Sequence, residues 1–472
     1  MGRPSAWVGF VVVLTAALSA GAADEAVLTG NVWTSVRPSA VWCADKNSTA
    51  TIEAHIVGRD DVRSVRVIGP NETFQLYDDG THGDAEAGDF VFTAAGVRPY
   101  CNTRYLLRYG NAVGTWYGNL EVTLASGERV VDEKSLRIGL VHPRYANAFR
   151  FETYGDGLSA TVFAFFIEDI DRAVFDAYPV SSTPPDVAAR EAVRRLYSVF
   201  PDQFDFVLVM PKTPIFAVAD FYETTSLAIR VANNAEYIGL PVFNRGAEYG
   251  SGGFLTGIVY HSFGGLDLVD FEMASLWGAD VGASLGFSVE IEPGRYLWSP
   301  LSDVGGQLAS FYVSDTGRVG RFDGNPDGTW QFATAMGNPR YSPLELYVMG
   351  LLPADVVPPI HLLTGPDLTD PQHVTAESVS TITIEDLIAA QGGVRACLTG
   401  EPPIEFSVAF VVVGDEPFTS AEYAYFSLLA YELTTKAAPA PTDSYAPFYW
   451  ATGGRAALRV LLPVTISIPP GM

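Results

Sequence analysis

The chain has 472 residues, 48% of them hydrophobic and 12% aromatic, and its 29 basic and 54 acidic side chains leave a net charge of −25. That apolar content can bury sizeable cores, so the chain reads as globular rather than disordered, with a length suited to roughly two or three domains. The acidic surplus excludes nucleic acid and anionic membrane surfaces as partners and serves solubility first.

The N-terminus opens as an export signal. Arg3 gives a positive start, Trp7 to Leu18 is an almost unbroken apolar run, and Ala20-Gly21-Ala22 has the small-x-small pattern that signal peptidases cut. A signal peptide is expected over 1–22, which makes the protein secreted or periplasmic. The run is too short for a permanent anchor, and no later segment reaches the roughly 18 to 20 apolar residues of a membrane span. No membrane anchor is expected.

Residues 27–137 read as short strands punctuated by turns. Ala50, Ile52, Ala54 and Ile56 alternate with Thr51, Glu53, His55 and Val57, and Val65 to Ile68 runs into the turn Gly69-Pro70-Asn71. Further strands are expected at Phe90 to Thr93, Tyr105 to Tyr109 and Leu120 to Leu124. This spacing suits an all-β immunoglobulin-like sandwich. Cys43 and Cys101 lie near the ends of this region, and an oxidising compartment lets them pair as a disulfide. Closing a loop of that length stabilises by about 4 kcal/mol in the chain-entropy model. Cys397 is left over and reads as a buried small hydrophobe, since no His accompanies it.

Within this region the stretch Leu76 to Asp89 is unusually acidic. Its Asp-Asp-Gly and later Gly-Asp resemble the acidic turn of immunoglobulin-like modules in secreted bacterial proteins. Asp78, Asp79, Asp84 and Asp89 can offer oxygen ligands to calcium, although the order is not that of an EF-hand loop. The alternative is two glycine turns whose Asp side chains cap their own backbone.

From 138 to 470 the texture becomes mixed α and β. Ala189, Ala192, Val193, Leu196, Tyr197 and Phe200 recur at helical spacing from a start near Asp186, and Phe206 to Met210 and Phe406 to Val413 read as buried strands. Thr383 with Asp386, and Thr419 with Glu422, have the spacing of helix N-terminal caps. Asp323 to Gly328 reads as a tight turn joining two strands.

Several stretches in this region appear in a meaningful order: Phe204-Asp205-Phe206, Tyr249-Gly250-Ser251, Phe271 to Gly278, Leu297-Trp298, Tyr341 to Leu351 and Ala451 to Arg455. In that order they resemble a family of secreted bacterial metallopeptidase-like proteins of the zincin type, which implies an α+β zincin-like domain. In active relatives the helix reads His-Glu-x-x-His-x-Trp, with two His ligands to zinc, a Glu that activates the bound water, and a third His from further along. The resemblance puts Phe271, Ser275 and Leu297 at those ligand positions, and only Glu272 remains. Phe and Leu have no lone pair and a Ser hydroxyl is a poor zinc ligand, so no zinc is expected and Glu272 is a catalytic remnant. None of the six His residues lie three to five apart, so a rebuilt site lacks its ligands. His261, ten residues before Phe271, is a donor that the fold could bring to Glu272.

The expected function is therefore that of an inactive peptidase-like protein that binds a peptide, protein or surface ligand. A hydrolase working through Glu272 and Glu345, and a cell-surface structural or adhesion module, are the competing readings.

Overall fold

The computed structural model describes residues 32–56, 59–101, 113–169, 185–212, 226–261, 269–314, 316–333, 340–438 and 446–462. The expected signal peptide and the strand at Tyr105 to Tyr109 lie outside them.

The N-terminal region is all β. Its strands are β1 (Val32–Arg37), β2 (Ala40–Trp42), β3 (Ala50–Ile56), β4 (Val62–Ile68), β5 (Thr73–Leu76), β6 (Val91–Val97), β7 (Val113–Leu124) and β8 (Arg129–Val141). They form a sheet of order β1-β3-β6 and a second of order β2-β8-β7-β4-β5. Strand β3 buries Ala50, Ile52, Ala54 and Ile56 and leaves Thr51, Glu53 and His55 half-buried, the period of two that a one-sided sheet requires. These side chains meet Val65, Val67, Trp116, Leu120 and Ile138 of the other sheet in one apolar core. A disulfide joins Cys43 and Cys101, with Cα atoms 5.6 Å apart. Strand β8 spans the bound at residue 137. It continues to Val141, which pairs with Val113 on one side and Trp42 on the other.

The rest of the chain is built on one large sheet. Its first elements are β9 (Glu152–Gly155), β10 (Leu158–Ala160), β11 (Phe165–Glu168), α1 (Pro185–Val199), β12 (Phe206–Pro211), β13 (Ser226–Arg230), β14 (Ala232–Asn233), β15 (Phe243–Asn244), β16 (Gly257–His261) and α2 (Val269–Trp277). There follow β17 (Ser288–Glu292), β18 (Arg295–Trp298), β19 (Tyr312–Val313), β20 (Val319–Gly324), β21 (Trp330–Ala333), α3 (Pro343–Val348), β22 (Ile360–Asp367) and β23 (Thr375–Ile382). The last are α4 (Ile384–Gln391), β24 (Ile404–Gly414), α5 (Ser420–Thr434), α6 (Phe448–Ala451) and β25 (Ala456–Val460).

The sheet runs β13-β16-β12-β24-β11-β10-β9, with β25 also on β24. Its centre is parallel, and β13 joins β16 antiparallel at one end. Strands buried on both faces read as continuous apolar runs, as β12 and β24 do. Val207, Val209, Ala409 and Val411 face α1, whose Ala189, Ala192, Val193 and Leu196 complete that core. Phe206, Leu208, Phe410 and Val412 face the opposite way, toward Met273 of α2 and Phe426 of α5. The Asp323 to Gly328 segment makes the β20–β21 turn, closed by the Asn325 amide on the Thr329 carbonyl at 2.8 Å.

Cys397 is exposed rather than buried. It follows the left-handed Gly392 that ends α4, in an irregular run where Arg395, not Cys397, turns inward to the Val348 carbonyl.

Candidate functional site

Helix α2 carries Asp270 and Glu272 in its first turn, where the helix dipole favours anions. It ends at Gly278, whose φ of +74° suits a glycine; a Cβ there would stand 2.0 Å from Arg230 Nη2. The missing side chain leaves room for the Arg230–Asp280 ion pair at 2.8 Å, while Arg230 Nε donates to the Ser275 carbonyl at 3.1 Å.

Glu272 is 1% exposed. Its Oε1 accepts hydrogen bonds from Ser226 Oγ of β13 at 2.8 Å and from Arg295 Nη2 of β18 at 3.1 Å. Its Oε2 is buried without a hydrogen bond of normal geometry. Burial pushes the carboxyl above its usual range, and Arg295, Ser226 and the Ala228 amide pull it back. The Arg295 guanidinium also sits over the Phe271 ring, 5.4 Å from its centroid. Ser275 turns its Oγ back to the Phe271 carbonyl at 3.0 Å. Leu297 lies two residues beyond Arg295, on the same face of β18, and shares an apolar cluster with Met273 against which Phe271 packs. The positions matched to zinc ligands are thus filled by a ring, a back-bonded hydroxyl and an aliphatic side chain. His261 is the register partner of Ser226 across the β13–β16 pair, and Ser226 in turn donates to Glu272.

Asp270 is also buried, and burial raises its carboxyl to about 8 against the Ala446 amide and the Tyr341 hydroxyl. Its Oδ1 has no hydrogen-bond partner.

Glu345 is 2% exposed and stands in a different setting. It closes the capping box of α3 with Ser342. Its oxygens accept from the amides of Ser342 at 2.7 Å, Gln307 at 3.1 Å and Leu308 at 2.6 Å, and from Trp298 Nε1 at 3.2 Å. Burial raises this carboxyl and the four donors lower it. Bonds that use both oxygens give it the role of a fastener between α3 and β18.

The four acidic-turn residues separate. Carboxylate oxygens of Asp78, Asp84 and Asp89 lie within 4.8 Å of one another. Asp79 turns to its own loop, accepting from the Thr81 amide at 2.8 Å and Thr81 Oγ1 at 2.6 Å, with His82 beside it.

Arg295, Ser226 and Asp270 were not among the residues singled out from sequence. A signal for Arg295 existed: it stands two residues before Leu297, the distance that puts two side chains on one face of a strand. No protein-family model, no curated protein and no solved structure matches the chain.

Proposed function

We propose that this is an exported, zincin-like protein with an immunoglobulin-like N-terminal domain, a peptidase relative without zinc ligands that binds a peptide, protein or surface ligand instead of cutting it. One observation carries the reading. Glu272, the residue matched to the catalytic base, is neutralised inside the protein by Arg295, and the same guanidinium covers Phe271. In a zinc peptidase that carboxylate must face a metal-activated water. Here its well-formed contacts go to a cation and a hydroxyl, and Phe271 and Leu297 have no lone pairs for a metal.

Binding rather than hydrolysis also suits the topology. Among the described strands β13 ends the large sheet, next to α2, and a sheet edge of this kind can accept an extended peptide as an added strand. Export is supported by the apolar N-terminal run and by the Cys43–Cys101 disulfide.

Metal analysis of the purified mature protein tests the proposal. The expected result is zinc far below one per chain and no cleavage of casein-like substrates, by wild type or by Glu272→Gln. One tightly held zinc per chain, lost together with proteolysis on chelation, overturns it. So does a hydrolytic activity that falls by roughly 10² to 10⁴ in an equally folded Glu272→Gln, the contribution of a positioned base.

A further inference from the structure

The turn between β5 and β6 brings three acids together far from α2 in sequence. One oxygen each from Asp78, Asp84 and Asp89 lies within 4.8 Å of the others. Asp78 spends its oxygens on the amides of Gly88, Asp89 and Phe90, and Asp89 Oδ1 accepts from Val91 at 2.9 Å. Asp84 differs. It is 7% exposed, its Oδ2 accepts from the Gly80 amide at 2.7 Å, and its Oδ1 is buried with no hydrogen bond. One oxygen of this carboxylate joins the cluster, and Oδ1 is the one left without a donor. A buried, unsatisfied anionic oxygen is costly unless something positive meets it. Among the described residues no Lys, Arg or His pairs with these three; His82 is taken by Asp79.

We propose that Asp78, Asp84 and Asp89 form a calcium site that pins the β5–β6 turn, with Asp84 as its buried anchor. Two oxygens on one ion are separated by at most twice the metal–oxygen distance, about 4.6 to 5.2 Å for calcium and about 4.0 to 4.2 Å for magnesium. Three carboxylate oxygens within 4.8 Å of one another can share one calcium ion as the turn stands. Zinc prefers nitrogen and sulfur donors and shorter bonds. Water and backbone carbonyls complete the shell that a hard cation of this size requires. The site is independent of the function proposed for α2.

The test is a titration of the oxidised, full-length mature protein, stripped with chelator, with calcium chloride alone. Calorimetry reads the binding and thermal unfolding reads the stabilisation. The expected Kd is about 10⁻³ M or tighter, the range of extracellular modules. Asp84→Asn and Asp89→Asn each weaken binding about tenfold or more, because ligand charge sets affinity. Asp79→Asn binds as wild type does. Asp89 is exposed, so its variant decides the matter if Asp84→Asn fails to fold. Absence of calcium binding, an Asp89→Asn variant that binds normally, a loss in Asp79→Asn equal to that in Asp89→Asn, or equal stabilisation by magnesium chloride overturns the assignment.

Discussion

Asp270 and Glu272 are two residues apart on α2, and burial acts on both, yet among the described residues only Glu272 has a cation in contact. Asp270 meets the Ala446 amide and the Tyr341 hydroxyl, which are too little to hold its charge, and its carboxyl rises from 3.8 to about 8. The folded protein therefore keeps a proton that the unfolded chain releases near pH 4. Stability from the neutral acid is complete below that pH and is lost as the pH rises through about 8, since the unfolded state binds fewer protons across the interval. Asp270→Asn is neutral throughout and removes this slope. Urea unfolding at pH 5, 6.5 and 8 should show the variant gaining on wild type as the pH rises, by up to about 1.4 kcal/mol per pH unit. Parallel pH profiles for the two proteins would show that Asp270 is ionised in the fold.

At the scale of elements, local chemistry decides most of what forms. Helix α4 starts at Thr383, whose Oγ1 receives the Asp386 amide while Asp386 Oδ2 receives the Thr383 amide. Thr383→Ala removes one half of that exchange on an exposed surface, and should lower the unfolding free energy by about 1 kcal/mol without altering the rest of the fold. Denaturant unfolding checks it, and an unchanged midpoint would mean that solvent caps the helix equally well. This cap, the matching one of α5, the stripe of α1 and the runs of β12 and β24 were legible because each is written within a few consecutive residues. The sheet order was not. Strand β24 enters between β12 and β11 from more than two hundred residues away, as the Asp205–Ser407 hydrogen bond illustrates with a separation of 202. No periodicity in either segment announces that partner. The site divides in the same way. The helix bearing Glu272 follows from a motif, whereas Ser226 and Arg295 reach it from separate strands. In the acidic turn the carboxylates are visible in sequence, but the convergence of three of them depends on left-handed backbone at His82 and Phe90, where glycine would be expected.

The whole molecule is held together by a buried charge where its two regions meet. Glu422, fully buried on α5, accepts from the Ser39 amide at 2.9 Å and Ser39 Oγ at 3.0 Å, next to β2 of the N-terminal region. The same Oε1 stands 3.4 Å from the buried Lys212 ammonium, whose other acid, Glu416, is partly exposed. Around this node Arg37 pairs with Asp415 at 2.8 Å and Trp42 Nε1 donates to Ser420 at 3.3 Å. Ala40, Val113 and Val141 join the apolar cluster of α5. Gly139 lies directly beneath Tyr425, where any Cβ would come within 2.8 Å of the ring. The regions should therefore unfold as one unit, and two substitutions should separate them. Glu422→Gln keeps the shape but strands Lys212 beside a solvent-screened acid, a loss of about 3 kcal/mol or more for a broken buried pair. Gly139→Val removes no charge; it forces α5 away from β8 by overpacking. Scanning calorimetry should record a single transition for wild type and two for Gly139→Val, with the N-terminal region melting on its own core and disulfide. A single unshifted transition in Gly139→Val would mean that α5 and β8 do not transmit stability between the regions.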